Sequence, residues 1–203
     1  MTKLLRKIDD LKGHFGDLKV NRGKTHDFLG MKISFNNDKS ISLDMKDQVR
    51  EAIDTFGEEF KGEVPTAAAR SLHNVDEKAA ELDQELSEKF HSVVAKLLYI
   101  AKRARPDIET AVSFLCTRVS KSTVEDYEKL RRVVHYLQST IEDVRKIGAK
   151  NGMSFLFTWI DAAYAVHPDM KSQTGGCMSF GTGILHGKSG KQKLNVKALL
   201  SPS

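Results

Sequence analysis

Asp161 is the side chain best placed to do chemistry. It closes MSFLFTWID (153–161), an aromatic and β-branched run that reads as a strand entering a core, so its carboxylate is expected at a strand end facing a cleft. Two-metal nucleases and polymerases hold an acid in such a place because hard Mg²⁺ takes carboxylate oxygens fixed on a rigid element. A lone Asp after a strand equally suits a cap or a turn, and one carboxylate cannot hold two metals. Asp169, beside Pro168, reads as turn chemistry. The seven histidines show no i, i+4 pair and no HxH spacing, and Cys116 and Cys177 form no CxxC. That argues against a zinc site and a disulfide scaffold, fits a reducing compartment, and leaves both cysteines as packed thiols. No GxSxG, P-loop or GxGxxG occurs.

Charge supplies the second candidate. The net charge of +5 is uneven: from Met170 to Ser203 there are five lysines, Lys171, Lys188, Lys191, Lys193 and Lys197, and no acid. Lys96, Lys102, Arg103 and Arg105 form another cluster with no acid before Asp107. Basic patches attract phosphate backbones by releasing counterions, and they also serve simply as solvated surface. The nucleic-acid-binding candidates are Lys96, Lys102, Arg103, Arg105, Lys188, Lys191 and Lys193.

These residues need elements to position them. At 203 residues, with 40% apolar and 29% charged side chains, the chain can bury a core as one domain or two small ones. FLGMKISF (28–35) and SISLDM (40–45) read as two strands joined by Asn36-Asn37-Asp38, and KDQVREAIDTFG (46–57) as a helix stopped by Gly57. Residues 58–84 are weakly patterned and read as a connecting segment. Three amphipathic helices follow. Phe90, Val93, Val94, Leu97, Leu98 and Ala101 stripe the first; Ile108, Ala111, Val112, Leu115, Cys116 and Val119 stripe the second, after Pro106. The third opens on a capping box, Ser122 with Glu125, and shows Val124, Tyr127, Leu130, Val134, Leu137 and Ile141. DVRKIGAKNG (143–152) reads as a polar joint, with a domain boundary near 150. Two more short strands, punctuated by glycines, follow Asp161.

Several stretches, in order from about Leu11 to Lys197, resemble copia-type LTR retrotransposon polyproteins. LKVNRGKTHDFLGMKISF (18–35) is similar to the segment that follows the polymerase's aspartate pair, with Phe28, Leu29, Gly30 and Ile33 matching its core. VPTAAA (64–69), FHSVVAKLLYIAKRARPDIETAVSFLCTRVS (90–120) and YEKLRRVVHYLQST (127–140) resemble the joint and helices that come next. WIDAAYAVHPDMKSQTGG (159–176) and KSGKQKL (188–194) resemble the opening of the ribonuclease H domain.

The resemblance implies an α+β fold. Residues 1–60 would be the palm-end β-hairpin and helix of a reverse transcriptase, 61–145 a three-helix thumb- or connection-like unit, and 150–203 three antiparallel strands of an incomplete ribonuclease H-like fold. It makes Asp161 the only mapped ribonuclease H acid, a ligand of an incomplete Mg²⁺ site. No hydrophobic-Asp-Asp polymerase site precedes the FLG segment unless Ile8-Asp9-Asp10 mimics it, and ALLSPS (198–203) replaces the helix start that carries the next nuclease acid. The expectation is a chain truncated at both ends and without polymerase or nuclease turnover. Alternatives are a non-catalytic nucleic-acid-binding remnant and a non-functional relic. Expected partners are an RNA–DNA hybrid or other nucleic acid and the remainder of the polyprotein. Apolar stretches are too short for a membrane span and the N-terminus is unlike a signal peptide, so no membrane is expected and the location is intracellular, cytoplasmic or nuclear. Three strands lacking helical cover are expected to leave an apolar face exposed, with residues 153–203 loose or prone to association.

Overall fold

The computed structural model describes residues 2–193. Helix α1 (Thr2–Phe15) leads to strands β1 (Thr25–Phe28), β2 (Met31–Phe35) and β3 (Ile41–Asp44), then helix α2 (Lys46–Phe56). Helices α3 (Gln84–Arg103), α4 (Glu109–Cys116) and α5 (Val124–Ser139) follow, then strands β4 (Arg145–Met153), β5 (Phe157–Ala163), β6 (Gln173–Ser179), β7 (Gly181–Thr182) and β8 (His186–Lys191). The fold is mixed α+β, with two antiparallel sheets ordered β1-β2-β3-β4-β7 and β5-β6-β8.

The helices form where the apolar period is 3.6, and their stripes make the core. Phe90, Val93, Leu97 and Ile100 of α3 meet Ile108, Val112 and Leu115 around α4 and Leu130, Val134 and Leu137 of α5, all of them buried. Helix α2 adds Val49 and Phe56, and Gly57 ends it in the left-handed conformation at φ 72°, donating to Ile53 O. Details of the expected stripes shift: Ile100 is buried where Leu98 was expected, Val133 joins the α5 face, and Val124 stands exposed. The capping box is one residue later than expected. Thr123 caps α5, and Asp126, itself 1% exposed, reaches back to the Thr123 N–H and receives Arg118. Asp83 caps α3 by accepting from Leu86 N.

Two other expectations are corrected. FLGMKISF is a hairpin rather than one strand: Leu29 and Gly30 both have positive φ (49° and 70°), which turns β1 directly onto β2. The Tyr99 hydroxyl, from α3, donates to Leu29 O and holds that turn. The stretch 143–152, read as a joint, is mostly strand β4; it pairs with β3 through Leu43↔Arg145 and with β7 through Ala149↔Gly181. Strand β4, which runs across the boundary expected near 150, is therefore bonded to both β3 and β7. Gly183 makes the β7 approach possible, since a Cβ there would lie 1.8 Å from Lys146 O.

Three joints seat the β5-β6-β8 sheet on the helices. Glu109 Oε1 accepts from Ser189 N (3.0 Å) while Ser113 Oγ, one helical turn on, donates to Ser189 O (3.0 Å), so α4 satisfies the outer edge of β8. Arg145 donates to Ile184 O, Leu185 O and Arg103 O. His167, buried in the β5–β6 loop, stacks near Phe114 (6.1 Å) and meets His73 edge-on (5.2 Å).

Candidate nucleic-acid interface

The basic candidates divide by what already holds them. Lys96 pairs with Glu51, and Lys102 with Glu109. Arg105 is 3% exposed; its guanidinium grips Asp107 (Nη2 2.7 Å) and Thr140 O (3.0 Å), which fixes the turn between α3 and α4. Arg103 has no carboxylate partner among the described residues. Its guanidinium lies 3.7 Å from the centroid of the Tyr99 ring and donates to Tyr99 O. Lys191 pairs with Asp169 at 2.8 Å, and Lys171 reaches the same carboxylate at 3.4 Å. Hydrogen bonding to Lys191 is the main cause that lowers the Asp169 pKa. Lys188 and Lys193 are exposed, with no ion pair among the described residues, and Lys197 lies outside them.

Asp161 is not at a strand end. It sits inside β5 opposite Gly175, exposed, with Oδ1 accepting from Ala162 N (2.8 Å). Glu109 lines the same groove, but its carboxylate is taken by Lys102 and Ser189 N. Among the described residues no three His, Cys, Asp or Glu side chains gather where a metal could sit. Hard Mg²⁺ needs several oxygen ligands, so these side chains do not fit a Mg²⁺ site.

The strand carrying Asp161 is also not inside a core. Phe157, Trp159 and Ile160 are 45%, 55% and 78% exposed, and Phe155, Leu156 and Met153 are exposed too. β5 pairs only with β6, so its other edge is open among the described residues. The exposed apolar face expected of an uncovered sheet is present. Charge counting found the lysines but gave no sign of Phe157 and Trp159. Their i, i+2 spacing in a strand is the one signal that could have placed them on a common face.

Elsewhere, burial and the neighbouring His167 and Lys129 push the His73 imidazole below its usual pKa, and burial pushes the Cys116 thiol up. No helix among the described residues is long and apolar enough to cross a membrane.

The chain is similar to a Saccharomyces cerevisiae protein named for transposon Ty5-1 (YCL074W), with 27% identity over 159 residues, 76% of this chain and 49% of that protein. It is also similar to the uncharacterized mitochondrial protein AtMg00810 of Arabidopsis thaliana, with 32% identity over 104 residues, 51% of this chain and 42% of that protein. The chain thus spans about half the length of the curated relatives it matches. No described protein family and no solved structure matches it.

Proposed function

We propose that this chain is a reverse transcriptase/ribonuclease H segment of a copia-type retrotransposon polyprotein that holds nucleic acid without hydrolysing it. The similarity to the Ty5-1 transposon protein over 76% of the chain carries the reading. The ordered motifs from the FLG hairpin to the TGG strand support its finer part.

In this reading β1–β3 and α2 are the end of the palm, α3–α5 the thumb- or connection-like helices, and β5, β6 and β8 the first strands of a ribonuclease H-like sheet. Arg103, Lys188 and Lys193, free of carboxylates, take the phosphates of a template–primer or hybrid. Lys96 joins them by exchanging Glu51 for phosphate, because an exposed ion pair is worth only about 0–1 kcal/mol. Arg105 supports these contacts from behind, by fixing the α3–α4 turn. Asp161 alone cannot assemble the two-metal geometry that hydrolysis needs, so no catalytic step is assigned to it.

An RNA–DNA hybrid tests both halves. Salt-dependent retention without cleavage in Mg²⁺ is expected, and substitution of Arg103, Lys188 and Lys193 by Gln should flatten the salt slope by up to about three charges. Hybrid cleavage abolished by Asp161→Asn would overturn the non-catalytic half. Salt-independent or absent retention would overturn the binding half.

A further inference from the structure

Where β8 meets the end of α3 and the start of α4, a small pocket of about 160 Å³ opens. Its basic lining comes from three elements: Lys102 of α3, Arg145 of β4, and His186 with Lys188 of β8. The one acid that lines it is Glu109, whose carboxylate is already spent on Lys102 and on Ser189 N. Three permanent cations therefore share one carboxylate. Arg145 is the member least provided for. Its Nε and Nη2 donate to Ile184 O (3.1 and 2.7 Å), Nη2 also to Leu185 O (3.0 Å), and Nη1 to Arg103 O. All of these acceptors are neutral carbonyls, whereas Arg105 and Arg118 each hold a carboxylate. Arg145 keeps one Nη1 N–H, and its charge has no ion pair among the described residues. Burial lowers its pKa, as it does for a cation short of a counter-charge. His186 and Lys188 stand on one face of β8, opposite Met178 and the bare Gly176.

We infer that this pocket binds a phosphoryl oxyanion, held between Lys102, Arg145 and Lys188. The space equals about five waters, enough for one tetrahedral oxyanion. A carboxylate is planar, carries one charge and could meet these cations from one side only. A phosphoryl group carries up to about two negative charges and three acceptor oxygens, so it can face three elements at once and balance the surplus cations. Ala101 and Leu185 supply apolar wall, which strengthens the attraction by lowering the local dielectric. The site shares Lys188 with the nucleic-acid reading above but does not rest on it, because a free oxyanion can fill the pocket whether or not a polynucleotide binds.

Inorganic phosphate is titrated calorimetrically into the intact chain at fixed low ionic strength, with sodium acetate as the carboxylate control. Saturable binding of one phosphate per chain is expected, with acetate at least tenfold weaker. Lys188→Gln and Lys102→Gln should each weaken phosphate about tenfold, in line with the loss of one charged hydrogen bond. Lys193→Gln, which removes an equal charge outside the pocket, should leave phosphate affinity unchanged. Arg145 stays intact in these variants because it also seats the β5-β6-β8 sheet. The source of the oxyanion is read by competition: oligothymidylate displaced by saturating phosphate places a backbone phosphate in the pocket, and simultaneous binding reserves the pocket for free phosphate. Absence of saturable phosphate binding overturns the inference. So does a loss that is equal in Lys188→Gln and Lys193→Gln, which would mean that general surface charge alone attracts the anion. Phosphate that binds as expected while an RNA–DNA hybrid is not retained would remove the nucleic-acid reading and leave this site standing.

Discussion

The helical layer and the β5-β6-β8 sheet are both rich in large apolar side chains, yet they use them in opposite ways. In α3–α5, Phe90, Leu97, Phe114, Leu130 and Leu137 are each 1% exposed or less. In and around β5, Met153, Phe155, Trp159 and Ile160 are more than half exposed. The helices present their stripes to one another, so each buried side chain adds stability. Among the described residues the sheet is held to the helices chiefly where α4 meets β8, and the large side chains of β5 stay exposed. In this chain apolar sequence signifies stability in one region and exposed surface in the other.

The sharpest way to break that comparison is to truncate one aromatic in each region. Phe90→Ala should cost about 3–5 kcal/mol in denaturant unfolding, while Phe157→Ala should stay within about 0.5 kcal/mol. Equal costs would mean that β5 is covered after all. A smaller effect is expected at the joint between the regions. Glu109→Ala strands the Ser189 N–H and should cost about 1–3 kcal/mol, read as a lower midpoint and faster hydrogen exchange in β8, with α3 and α5 unaffected.

The joint where His167 meets His73 should respond to acid. The folded pKa of His73 lies below its unfolded value, so the unfolded chain takes up the proton first and stability falls as pH drops through the usual histidine range. Lys129 and His167 face His73 as further positive or protonatable groups. The thermal midpoint should drop between about pH 7.5 and pH 5, and His73→Phe should shrink that drop. Smallest of all, Lys96→Gln should change stability by no more than about 0.5 kcal/mol, since its partner Glu51 is largely exposed, yet should weaken hybrid retention.

The helices were legible because burial imposes a 3.6-residue period, which Phe90, Val94, Leu97 and Ala101 display plainly. Strand β4 was not. Arg145, Lys146, Gly148 and Lys150 lack strand alternation, and the edges of β3 and β7 make them a strand. The β1–β2 turn escaped notice because Leu29, not Asn, takes the left-handed position. At the candidate interface the cations were legible, but their partners were not. Nothing in the chain order announces that Arg105 turns inward to Asp107 or that Lys102 is held by Glu109. MSFLFTWID reads as core from its residue types, and only the layers around it reveal that its large side chains stay exposed among the described residues.

One measurement tests the contrast most directly: acrylamide quenching of Trp159 in the chain without ligand, with circular dichroism monitoring the helices. The open sheet predicts a water-exposed emission maximum and efficient quenching while the helical signal is fully native. A blue-shifted emission that resists acrylamide would show β5 covered, and would contradict the exposed sheet.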